Sequence, residues 1–110
     1  MVKKRTYSKY AQEAALLLGG QIRLARKQRK WSEKNLADRA GISRATLQKI
    51  ENGEMTCAIG LVFEAAALVG LNLFEQDKLP LSVNIKNTSN MIALLPRRIK
   101  SKTKTVDDDF

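Results

Sequence analysis

Four side chains in the stretch GISRATLQKIENG (residues 41–53) have the types and spacing to read the edges of DNA bases: Arg44, Ala45, Gln48 and Lys49. An arginine can donate two hydrogen bonds to O6 and N7 of guanine. A glutamine can pair with adenine through two bonds, and an exposed alanine methyl can meet the methyl of thymine; each two-bond pair contributes about 1–3 kcal/mol of base discrimination. Arg, Gln and Lys are also common on a plain solvated helix face, so residue types alone leave both readings open.

The element that carries them decides the geometry. On a helical wheel with Arg44 at zero, Leu47 and Ile50 fall at about 300° and 240°, while Gln48, Ala45 and Lys49 fall at about 40°, 100° and 140°. Packing through Leu47 and Ile50 therefore shows the polar four together on the opposite side. Ser43 is placed to cap this helix, Ile42 and Leu47 form a hydrophobic staple, and ENG at 51–53 closes it. The preceding KWSEKNLADRAG repeats the device, with Ser32 as N-cap, Trp31 and Leu36 as staple and Gly41 as the left-handed stop. Two short helices joined by a tight turn result.

Upstream, Ala14, Leu17, Leu18, Ile22 and Ala25 recur at helical steps from about residue 9 to Arg29, with Ser8 as a cap. The adjacent Gly19 and Gly20 weaken that helix by about 1 kcal/mol each relative to Ala, so a bend into two segments is expected there. Downstream, Ile59, Val62, Phe63, Ala66 and Val69 mark another helix, stopped by Gly70. LNLFEQDKL (71–79) is ambiguous between a short helix and an extended piece. Alternating Leu81, Val83 and Ile85 predict a short strand, and NTSNMIALL a short capped helix ended by Pro96.

Composition bounds the function class. The chain has 110 residues, 44% of them hydrophobic but only 5% aromatic, which favours one small all-helical domain with a Leu, Ile, Val and Ala core. Its net charge of +9 is unevenly placed: residues 1–50 hold 13 basic and 3 acidic side chains, residues 51–110 hold 7 and 8. A basic half beside a near-neutral one fits a polyanion partner, with nucleic acid the commonest. With no histidine and one cysteine, Cys57, the sequence offers no acid–base or nucleophilic constellation, no disulfide and no Cys-based metal framework. No enzymatic activity, metal or cofactor is expected. AALLLGG is too short for a membrane span and no signal-peptide cleavage site follows it, so a reduced, cytoplasmic, nucleoid-associated protein is expected.

SEKNLADRAGISRATLQKIENG resembles the helix-turn-helix of the phage Cro and cI repressor family, the Xre-type regulators. Ser32, Leu36, Ala37, Gly41, Ile42, Ser43, Leu47, Ile50, Glu51 and Gly53 carry the match, which extends over roughly residues 20–71. The resemblance implies an all-α, compact five-helix lambda-repressor-like DNA-binding domain with an irregular, partly disordered C-terminal extension. It implies that the second helix enters the major groove, presenting Ser43, Arg44, Ala45, Gln48 and Lys49 to bases, and that Arg26 pairs with Glu51. Phosphate contacts are expected from Arg23, Lys27, Lys30, Lys34, Thr46 and Asn52. One position departs from the family: Glu33 stands where a glutamine commonly bonds a phosphate. A carboxylate there repels phosphate, so Glu33 either turns back onto its own helix N-terminus or alters the phosphate clamp.

The expected organisation is a basic arm at 1–10, the helix-turn-helix domain at 11–75, a dimerisation or partner-contact segment at 76–96 and a flexible charged tail at 97–110. The family implies a homodimer on a palindromic double-stranded DNA operator, its recognition helices about 34 Å apart. The extension is similar to tails of HipB-like antitoxins, which implies a HipA-like kinase toxin as partner, docked through Arg97, Arg98, Asp107, Asp108, Asp109 and Phe110. Set against a sequence-specific repressor and antitoxin are a stand-alone phage-type regulator, an interaction adaptor with a degenerate helix-turn-helix and a nonspecific nucleoid binder.

Overall fold

The structure, a computed structural model, describes residues 5–74 and 78–97. Among them are five helices and no strand: α1 Lys9–Gln28, α2 Glu33–Ala40, α3 Arg44–Glu51, α4 Ile59–Leu68 and α5 Leu81–Ala93. The chain divides into two compact units, Met1–Asn72 with α1 to α4 and Leu73–Phe110 with α5. No helix among the described residues is long and apolar enough to cross a membrane.

Three serines start three helices. Ser8, Ser32 and Ser43 each sit in extended backbone and accept a hydrogen bond from the amide three residues on, of Ala11, Asn35 and Thr46. Each satisfies one N–H that the first turn leaves without a partner. Gly41 ends α2 at φ 71°, a conformation that a side chain disfavours, and the chain re-enters helix at Arg44.

The first unit closes around Ile22 of α1, Leu36 and Ala37 of α2, Leu47 and Ile50 of α3, and Ala65, Ala66 and Val69 at the end of α4, all buried. α3 packs against both α1 and α2, and α2 against α4. α1 is one 20-residue helix instead of two segments. Its glycine pair has a packing reason: a Cβ on Gly19 would come within 3.0 Å of the Ile50 and Glu51 carbonyl groups, so the end of α3 rests on α1 backbone to backbone.

The inward faces differ from the sequence expectation in two helices. On α1, Ala14 and Leu17 point outward, and on α4 Ile59 is largely exposed and Phe63 partly so, while Ala65 is buried. Close helix crossings admit small side chains, so alanines face inward where hydropathy alone favours the larger residues. The strand expected from Leu81, Val83 and Ile85 is overturned: residues 81–93 form one helix immediately after Pro80, whose carbonyl accepts from the amides of Val83 and Asn84. Three alternating residues are a short signal, and a helix closes its own backbone hydrogen bonds without a partner strand. Leu81, Ile85, Thr88 and Ile92 then share one side of α5, lining with Phe74 an open groove of about 510 Å³.

Candidate nucleic-acid interface

α3 separates its two sides completely. Leu47 and Ile50 are buried, whereas Ser43, Arg44, Ala45, Gln48 and Lys49 are exposed. The small Ala45 between longer side chains leaves a shallow, approachable surface. Ser43 is committed at the helix start, accepting from the Thr46 amide and donating to the Thr46 hydroxyl at 3.0 Å.

The inner side is anchored by charge. Arg26 of α1 donates from Nε to Glu51 Oε2 at 2.7 Å and from Nη2 to Glu51 Oε1 at 3.0 Å, and its Nη1 reaches the Trp31 carbonyl at 2.9 Å. Both charged residues are buried. The Glu51 carboxylate raises the Arg26 pKa against the opposing effect of burial, so the guanidinium stays charged. One side chain thus ties together α1, the last turn of α3 and the link into α2, and fixes the angle at which α3 presents its outer side. Arg23 approaches the same carboxylate at 3.6 Å from the surface.

Trp31, in that link, is stacked by two guanidinium groups, Arg39 at 4.2 Å and Arg29 at 5.3 Å from the ring centroid. Arg29 also donates to the Val69 carbonyl beyond α4. These arginines add positive charge while serving as packing.

The residues expected at phosphates are scattered around the helix-turn-helix. Lys27, Lys30, Lys34 and Asn52 are exposed; Lys30 holds a left-handed backbone at φ 62°, and Lys34 pairs with Asp38 at 2.9 Å. Thr46 is half-buried. Of the residues assigned to a partner-docking tail, Arg97 is exposed, and Arg98, Asp107, Asp108, Asp109 and Phe110 lie outside the described residues.

Glu33 does not turn back onto its own helix N-terminus. Its Oε1 accepts from Gln48 Nε2 at 2.9 Å and from Arg44 Nη2 at 3.2 Å, so the first residue of α2 bridges to two residues on the outer side of α3. Those hydrogen bonds, Gln48 first, hold its carboxyl below the usual carboxylate range. An acceptor-only side chain at the start of α2 thus faces two donors on the outer side of α3. The sequence shows the residue types for this contact but not that they meet.

Cys57 is half-buried and burial pushes its thiol pKa up, the opposite of an activated nucleophile. Among the described residues no group of three or more His, Cys, Asp or Glu side chains is placed to hold a metal ion.

Comparison with known proteins agrees with this geometry. Residues 22–75 match the helix-turn-helix family. A solved structure of a HipB variant in complex with an O2 20mer superposes with a TM-score of 0.50 at 24% identity, over 66% of this chain and 92% of that one. No curated protein matches the chain.

Proposed function

We infer that the chain is a sequence-specific transcriptional repressor of the Cro/cI type that reads its operator with the outer side of α3, a reading supported by the match of residues 22–75 to the helix-turn-helix family. The observation that carries this reading is the division of α3: Leu47, Ile50 and the Arg26–Glu51 pair hold one side rigidly, and Arg44, Ala45, Gln48 and Lys49 are exposed on the other. The excess of basic side chains in residues 1–50 supplies the sequence-independent attraction for phosphates. Arg23, Lys27, Lys30, Lys34, Thr46 and Asn52 are the residues that make it.

The chain acts as a homodimer on a palindromic operator. The apolar groove beside α5, with Leu81, Ile85 and Ile92, supports dimerisation through the second unit. The fold shared with HipB supports a finer role, as antitoxin and autoregulator beside a HipA-type kinase toxin docked by residues 97–110.

Gel shifts against the DNA upstream of the chain's own coding region test the repressor. Arg44→Ala and Gln48→Ala each lower selectivity for that DNA over a scrambled duplex, and affinity falls on the order of a thousandfold between about 50 and 200 mM salt if about six phosphates are engaged per dimer. Equal binding to cognate and scrambled DNA by the unmodified chain defeats the reading. Truncation after residue 96 leaves operator binding intact and loses a co-purifying kinase; retention of that partner removes the docking role of the tail.

A further inference from the structure

We propose that Glu33 is a specificity-determining residue, whose carboxylate fixes the amide of Gln48 in the orientation that accepts adenine and refuses guanine. The inference rests on the DNA-reading role of α3. A carboxylate can only accept hydrogen bonds, so the Gln48 amide has to turn its NH2 group toward Glu33, as the 2.9 Å contact shows. That leaves the Gln48 carbonyl oxygen and the second N–H for a base. Adenine offers the matching pair in the major groove, an N6 donor and an N7 acceptor. Guanine offers two acceptors, O6 and N7, and the Gln48 oxygen then faces O6 acceptor to acceptor.

Arg44 strengthens the arrangement from the other side. Its Nη2 reaches the same Oε1 at 3.2 Å, so one carboxylate oxygen is held between two donors. The remaining Arg44 N–H groups stay available to a base or phosphate. Glutamine at position 33 would lack this property. An amide both donates and accepts, so either orientation of Gln48 would find a partner in it, and the reading face would lose its polarity while keeping its shape.

The test is selection of duplexes from a randomised DNA library with the full chain, followed by sequencing. Gln48→Ala identifies the base column that Gln48 reads, as the one whose preference it flattens. In that column the unmodified chain prefers adenine over guanine by on the order of tenfold, and Glu33→Gln lowers the ratio to about twofold, within the discrimination one two-bond contact supplies. Glu33→Ala, which removes the brace without supplying a donor, lowers it as well. Combining Glu33→Gln with Gln48→Ala changes the column no further than Gln48→Ala alone. Circular dichroism melts establish that each variant is folded. If Glu33→Gln tightens binding to all sequences equally and leaves the adenine ratio unchanged, Glu33 is only a misplaced negative charge and the proposal is wrong, with the repressor reading untouched. If the unmodified chain selects no sequence, both fail together.

Discussion

Of the arginine–glutamate contacts at α3, Arg26–Glu51 and Arg44–Glu33 differ most in burial. Arg26 and Glu51 have side chains 6% and 1% exposed, and they meet through two parallel hydrogen bonds. Arg44 and Glu33 are 61% and 22% exposed and meet through one, at 3.2 Å. The buried contact sets where the helix lies; the exposed one sets what its outer side offers. Charge in a dry seam is costly to leave unpaired, so the inner contact is a structural commitment. At the surface water and salt compete, so the outer contact is adjustable and suits a group that exchanges partners when a ligand arrives.

The largest expected effect follows from breaking the inner contact. Glu51→Ala leaves the Arg26 guanidinium buried with only the Trp31 carbonyl to satisfy it, and lowers stability by about 3–5 kcal/mol. Urea unfolding monitored by circular dichroism measures it. Replacing both residues with apolar side chains of similar volume recovers much of the loss, because an uncompensated charge costs more than the pair contributes. A loss no larger than that of an exposed ion pair, about 1 kcal/mol or less, means that water reaches the seam.

Next in size is the contrast between the adjacent glycines of α1. Gly19→Ala drives a methyl into the Ile50 and Glu51 carbonyl groups and lowers stability by about 1–3 kcal/mol, with α3 displaced. A Cβ on Gly20 meets nothing within 4 Å, so Gly20→Ala raises stability by up to about 1 kcal/mol through helix propensity. Opposite signs from the same substitution one residue apart locate the crossing. Thermal melts that shift the same way for both variants contradict the backbone contact between α1 and α3.

The same glycines mark how far the sequence could be read. Serine caps, the Gly41 stop and the apolar spacing of Leu36, Leu47 and Ile50 are local signals with a local cause, and α2 and α3 were legible to within a residue. Gly19 was read by propensity alone, as a bend, because its role depends on a helix 30 residues further along. α4 differs for a related reason: which of its sides faces inward, with Ala65 and Ala66 buried, depends on its partner helix and not on its own hydropathy. In α5 an alternation of three residues outweighed the helical spacing of Leu81, Ile85 and Ile92. Of the interface, the polar four of α3 were legible from the wheel, whereas the direction Glu33 takes needed its contacts with α3.

The smallest effect lies in the response of the outer contact to acid. Glu33 has a lower carboxyl pKa in the folded chain than its ordinary value of 4.5, because Gln48 and Arg44 hydrogen-bond its ionised form. A carboxyl lowered on folding binds protons more readily when unfolded, so its contribution to stability is fully present above the unfolded value and is lost as pH falls through the folded one. Stability of the unmodified chain relative to Glu33→Gln is therefore constant above about pH 5 and shrinks below it. Urea midpoints at stepped pH for the two chains measure the difference. A difference that persists unchanged to low pH means that the carboxylate form of Glu33 is not what Gln48 and Arg44 hold, and the outer side of α3 then has no fixed polarity before DNA arrives.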